Sequence, residues 1–99
     1  MGEVAWHPRD EADRETIHDS IAWDSPYMAR AFAQRMRSAT RRLGRFPLSG
    51  RVVPERRKGD VREIPVQGCR VMDRVHGDGV LIVMIRHAAR RLGGSALGP

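Results

Sequence analysis

The sequence predicts a single α+β domain of order βααβββα, with two N-terminal helices packed on an antiparallel sheet and a short C-terminal helix. Three observations carry this. The first half holds two segments with apolar residues at helical spacing, divided by Ser25-Pro26. The second half switches to strand alternation and ends in a run, Val80 to Ile85, that is apolar on both faces. At 99 residues the chain has room for one core and not for two.

Taken in order, Val4-Ala5-Trp6 reads as a first strand. Pro8 suits a first helical position, and Asp10, Glu11, Asp13 and Glu15 complement the positive end of a helix dipole. Ile17 and Ile21 give that helix its inner face, and it ends near Asp24. Ser25 then offers a capping hydroxyl with Pro26 behind it. Ala29, Phe32, Ala33, Met36, Thr40 and Leu43 follow as one stripe of a second helix. Arg41 and Arg42 fit its last turn, Gly44 fits a left-handed residue just past its end, and Pro47 follows.

Gly44 to Gly59, broken by Pro47, Gly50 and Pro54, is expected to be a loop. Val61 to Val66 alternates as a strand in which Pro65 implies an edge or a bulge. Arg70 to Val75 is a second strand of this half, His76-Gly77-Asp78-Gly79 a hairpin loop, and Val80 to Ile85 a central strand. Ala88 to Leu92 is expected to close the domain as a helix. The domain then covers residues 1–92, with 93–99 as a flexible tail.

Charged residues make up 30% of the chain, 18 basic against 12 acidic, for a net charge of +6. All the basic residues are Arg except Lys58. Arg favours bidentate grips on phosphate and carboxylate, although Arg-rich coding alone produces the same bias. The excess is local: from Arg35 to Arg62 there are ten basic residues and only Glu55 and Asp60 to oppose them. A solvated surface is the plain reading of that run; a polyanionic or acidic partner is the other. Arg41, Arg42, Arg45, Arg56, Arg57 and Lys58 form its basic patch.

A lone cysteine, Cys69, excludes an internal disulfide. No apolar run is long enough to span a bilayer, and the N-terminus lacks a signal-peptide pattern, so a cytoplasmic setting is expected. The chain has no glycine-rich phosphate loop, no Gly-x-Ser-x-Gly elbow and no His-x-x-x-His pair. His7, His18, His76 and His87 are scattered, so neither a metal nor a cofactor is expected. Cys69 reads as a strand core residue, and Trp6 and Trp23 as packing between sheet and helix. With few aromatics among the basic strands, a stacking platform for a generic nucleic-acid-binding module is poorly provided.

Several segments together resemble the RelE/ParE superfamily of bacterial toxins. Leu43 to Glu55 is similar to its "L…P…GR.vPE" junction, and Val61-Arg62-Glu63-Ile64 to its "iREl" strand. Cys69-Arg70-Val71-Met72 resembles its "yRiiY" strand, and Ile85 to Leu92 its closing "v.H.rR.l". Asp24-Ser25 through Ala31-Phe32 resembles its entry to the second helix. The resemblance runs from about Val4 to Leu92 and leans toward ParE. It implies a type II toxin held inactive by an acidic antitoxin, in a heterotetramer or with a homodimeric toxin, and reaching operator DNA only through that antitoxin. A ParE-like member poisons DNA gyrase; a RelE-like one cuts messenger RNA on the ribosome. The family's aromatics are replaced by Cys69 and by Met72 or Asp73, which also admits a degenerate toxin.

The resemblance places Arg51, Glu55, Arg62, Arg70, Arg86, His87, Arg90 and Arg91 at positions expected to meet target or antitoxin. In a metal-independent ribonuclease, Arg62, Arg70 and Arg86 would converge to neutralise the phosphorane, with His87 moving the proton. The plainer alternative pairs Arg62 with Glu63 or Glu55, and Arg70 with Asp73, as surface ion pairs.

Overall fold

A computed structural model describes residues 2–56 and 58–87. Their elements are β1 (Val4–Trp6), α1 (Pro8–Asp24), α2 (Pro26–Arg45), β2 (Arg51–Val52), β3 (Arg62–Val66), β4 (Cys69–His76) and β5 (Gly79–His87). The expected closing helix, the 93–99 tail, Arg57, Arg90 and Arg91 lie outside the described residues.

Both helices start where their caps demand. The His7 ring Nδ1 accepts from the Arg9 amide at 3.1 Å, and the Ser25 hydroxyl accepts from the Met28 amide at 3.2 Å. On α2, Ala29, Phe32, Met36 and Leu43 are buried as their spacing requires. Gly44, by contrast, does not end the helix; α2 continues through it to Arg45, and Phe46 caps it. A Cβ at Gly44 would stand 3.0 Å from the Gly2 carbonyl oxygen, while the Gly2 amide donates to the Gly44 carbonyl. The glycine is there for a close approach to the N-terminal strand rather than for a left-handed turn.

Trp6 packs against the core beneath the Arg14 guanidinium. Trp23 does not: it is 90% exposed. Two residues past the inward-facing Ile21 is a rotation of about 200° on an α-helix, which turns its indole outward.

The sheet order is β1-β5-β4-β3-β2. All neighbours are antiparallel except β1 and β5, which run parallel, so the sheet is mixed rather than purely antiparallel. The helical pair after β1 is the kind of long connection from which a parallel neighbour can arise. The long β5 is an interior strand between β1 and β4, as its two-faced apolarity requires. β2 lies inside the expected loop; two residues are too few to show alternation. Because β2 pairs only with Arg62 and Glu63, the outer side of Pro65 has no strand beside it among the described residues.

The main core lies between the helices and one face of the sheet, where Phe32, Met36 and Leu43 meet Val71, Val80, Ile82 and Ile85. A smaller cluster of Val53, Val61 and Met72, with Val83 against it, lies on the other face. No helix among the described residues is long and apolar enough to cross a membrane.

Candidate functional site on the open sheet face

Strand alternation sorts the candidate residues onto two faces. Ile64, Val71 and Ile85 point into the helix-covered core, so Glu63, Arg70 and Arg86 project from the opposite face. There Arg70 lies directly across from Arg86 in the β4–β5 register. They border a cleft of about 710 Å³ with an apolar floor of Val53, Met72, Leu81 and Val83. Arg9, Arg56 and Arg74 complete a basic rim, with Glu55 among them.

Arg70 is not free to grip a ligand. Its two terminal nitrogens donate to the two Glu55 carboxylate oxygens at 3.0 Å each, and its Nε donates to Glu63. Glu63, buried at 3% exposure, also accepts from Arg51 at 2.8 Å. The hydrogen bond from Arg70 brings the Glu55 carboxyl down to about 2, and it likewise lowers Glu63 against the opposing effect of burial. The same bonds raise the Arg70 guanidinium. The four side chains form a chain, Arg51–Glu63–Arg70–Glu55, that ties the loop carrying Glu55 to the sheet.

Arg62 and His87 are on the other face. Arg62 donates to the Gly50 carbonyl at 3.1 Å and sits across from Asp73 in register. His87, one residue past Arg86, lies across from Cys69. The expected convergence of Arg62, Arg70, Arg86 and His87 is therefore divided between two faces, with only Arg70 and Arg86 together. The alternative pairing is also rearranged: Arg70 takes both Glu55 and Glu63, and Arg62 takes neither.

Asp73 is 1% exposed and neither carboxylate oxygen has a hydrogen-bond partner among the described residues. Burial pushes its carboxyl up to about 6, with Arg62 pulling the other way. Cys69 is the core residue expected; burial pushes its thiol up to about 11, away from nucleophile chemistry. In the basic patch, Arg56 is engaged with Asp60 through two hydrogen bonds of 3.0 and 3.1 Å, which lower Asp60. Arg41, Arg42 and Arg45 lie exposed on the last turns of α2, and Lys58 in a turn.

Arg74 and Arg9 belong to the cleft but were not singled out by the sequence. Arg74 continues the alternation of Arg70 and Met72, a signal that was available. Arg9 had none: it reaches the cleft because β1 lies beside β5, and its Nη2 donates to the Val83 carbonyl at 3.2 Å. Arg74 and Arg86 have no carboxylate partner among the described residues. The cleft thus offers apolar contact with unneutralised guanidiniums beside it, suited to an acidic or phosphate-bearing surface.

A family model described as the ParE toxin of type II toxin-antitoxin system, parDE, matches residues 4–92. The chain is also 36% identical over 91 residues to "Toxin RelE2" of Caulobacter vibrioides (strain ATCC 19089 / CIP 103742 / CB 15), covering 91% of this chain and 99% of that protein. A toxin of such a system implies a cognate antitoxin as its partner. The family match and the two-helix, five-strand fold agree: this chain belongs to the ParE toxin family of type II toxin–antitoxin systems.

Proposed function

We propose that this toxin is a ParE-like inhibitor of DNA gyrase in the bacterial cytoplasm, silenced by its antitoxin and acting by binding rather than by catalysis of its own. The observation that supports this most is the division of the ribonuclease constellation. Messenger cleavage needs a group to take the 2′-hydroxyl proton beside cations that stabilise the phosphorane. Arg70 is already neutralised by two carboxylates, and His87 and Arg62 point away from Arg86. Binding to a partner surface needs only the apolar floor and the unneutralised Arg74 and Arg86.

With purified gyrase, the protein should inhibit supercoiling or trap cleaved DNA, and it should leave ribosome-bound messenger intact. The name of the Caulobacter relative supports a second reading, a RelE-like ribosome-dependent messenger endonuclease. Codon-periodic cleavage in a translation extract, with gyrase unaffected, would establish that reading instead.

A further inference from the structure

Strands β4 and β5 slip by one residue in the middle of their pairing. Met72 lies across from Met84, but the next residue, Asp73, lies across from Ile82, so Val83 is the extra residue of a β-bulge. Ile82 and Ile85 belong to the helix-covered core. The bulge therefore sends two consecutive residues, Val83 and Met84, to the open face, where both line the 710 Å³ cleft. Strict alternation would have put only one of them there.

Met84 is 36% exposed, whereas Met72 across the ladder is 8% exposed and Met36 in the main core 2%. Met28 is the other exposed methionine among the described residues, but it sits on the first turn of α2 and does not line the cleft. Met84 also has a partner: the Arg86 Nε donates to its Sδ at 3.1 Å. A thioether is a weak acceptor, so this bond leaves Arg86 ready to turn to a carboxylate or phosphate. No carboxylate among the described residues competes for it.

We propose that Met84 is an oxidation site for hydrogen peroxide, and that its sulfoxide weakens the cleft's hold on a target. An Sδ lone pair attacks one peroxide oxygen, the O–O bond breaks, and the sulfoxide and one water are formed. Sulfur gives up two electrons and the peroxide takes them, so the balance closes with these two reactants. The new oxygen is a far stronger acceptor than the sulfur, and it stands within reach of the Arg86 Nε. Arg86 is then held to its own strand. A polar oxygen also enters an apolar floor that any partner must cover. Both effects lower affinity, and methionine sulfoxide reductases reverse them. The inference rests on the cleft being the surface that meets the target.

The test uses the full chain, treated with hydrogen peroxide while folded, and purified gyrase. Peptide mass spectrometry should find Met84 oxidised well before Met36 and Met72; conversion of Met72 ahead of Met84 overturns the site. The oxidised chain should need about 10-fold more protein than the untreated chain to halve supercoiling, the order expected for one polar group covered without a partner. The same ratio is then measured in Met84→Leu, which cannot form the sulfoxide, and in Met28→Leu, which still can. It should fall under about 2-fold in Met84→Leu and stay at about 10-fold in Met28→Leu. Equal ratios in the two variants overturn the proposal. The Arg86 Nε–H resonance gives a reading that needs no target. On oxidation of the wild type it should shift and exchange with water more slowly, and an unchanged resonance overturns the hold on Arg86. An untreated chain that leaves gyrase unaffected strikes instead at the proposed function, while the resonance and the order of oxidation still decide for or against Met84.

Discussion

The two faces of the sheet solve the problem of burial in opposite ways. On the helix-covered face, Phe32, Leu43, Val71, Val80 and Ile82 are 0–1% exposed and pack into one apolar cluster. On the open face the apolar cluster is smaller, and order comes from the Arg51–Glu63–Arg70–Glu55 network laid across it. Each face also holds a buried carboxylate. Glu63, on the open face, has two guanidiniums and is lowered; Asp73, across from Arg62, has no hydrogen bond and is raised to about 6. At Glu63 the guanidinium hydrogen bonds outweigh burial; at Asp73 burial prevails over the pull of Arg62.

The largest effect that tests this comparison is loss of packing on the helix-covered face. Phe32→Ala should cost about 3–5 kcal/mol, and Met72→Ala on the open face about 2 kcal/mol, read from urea midpoints. Equal costs would mean that the open cluster is as well packed as the main core.

Next comes the network. The three arginine-to-alanine changes at 62, 70 and 86 look alike from the sequence, each expected to spare the folded midpoint. The structure separates them: Arg70→Ala should destabilise by about 3 kcal/mol, because it leaves buried Glu63 with Arg51 alone and releases Glu55. An unchanged denaturation midpoint for Arg70→Ala would show that the network is merely a surface arrangement.

A smaller effect of opposite sign is expected at Asp73. Its folded pKa of about 6 lies above the ordinary 3.8, so it costs nothing below about pH 3.8. The cost grows as the pH rises toward 6 and is constant above that. Asp73→Asn should therefore stabilise the protein by about 1–2 kcal/mol at pH 7.5 and remove that slope, with the amide's own unmet hydrogen bonds taking back part of the gain. Glu55 has the reverse sign: its contribution is present above about pH 4.5 and is lost as the pH falls toward 2. Melting curves from pH 2 to 8 on wild type and Asp73→Asn resolve the two windows.

The smallest stability effect belongs to Arg86. Without a carboxylate partner, Arg86→Ala should move the midpoint by under about 0.5 kcal/mol. Under the proposed function it should weaken gyrase inhibition, measured as the concentration that halves supercoiling. Full potency would remove Arg86 from the target surface.

Much of this was legible in the chain because it is written locally. Ser25-Pro26 begins a helix wherever it is followed by apolar residues at three and four residue steps, and Val80 to Ile85 can only be a buried strand at this length. The open face was legible in part: alternation puts Arg70, Met72 and Arg74 on one side of β4, once the strand is known to be regular. Trp23 was misjudged because aromatic character says nothing about rotation around a helix, and Gly44 because a glycine after an arginine pair fits both a helix end and a tight contact.

What the sequence determines by itself is therefore the identity and order of the elements, since caps, spacing and alternation act within a few residues. Tertiary structure decides the rest. Only the register of β3 against β4 puts Arg62 beside Asp73, and only the fold of the loop after β2 brings Glu55 to Arg70. Only the parallel pairing of β1 with β5 carries Arg9 to the cleft. Partnership between charges separated by many residues depends on where the backbone brings them, and no local pattern encodes that distance.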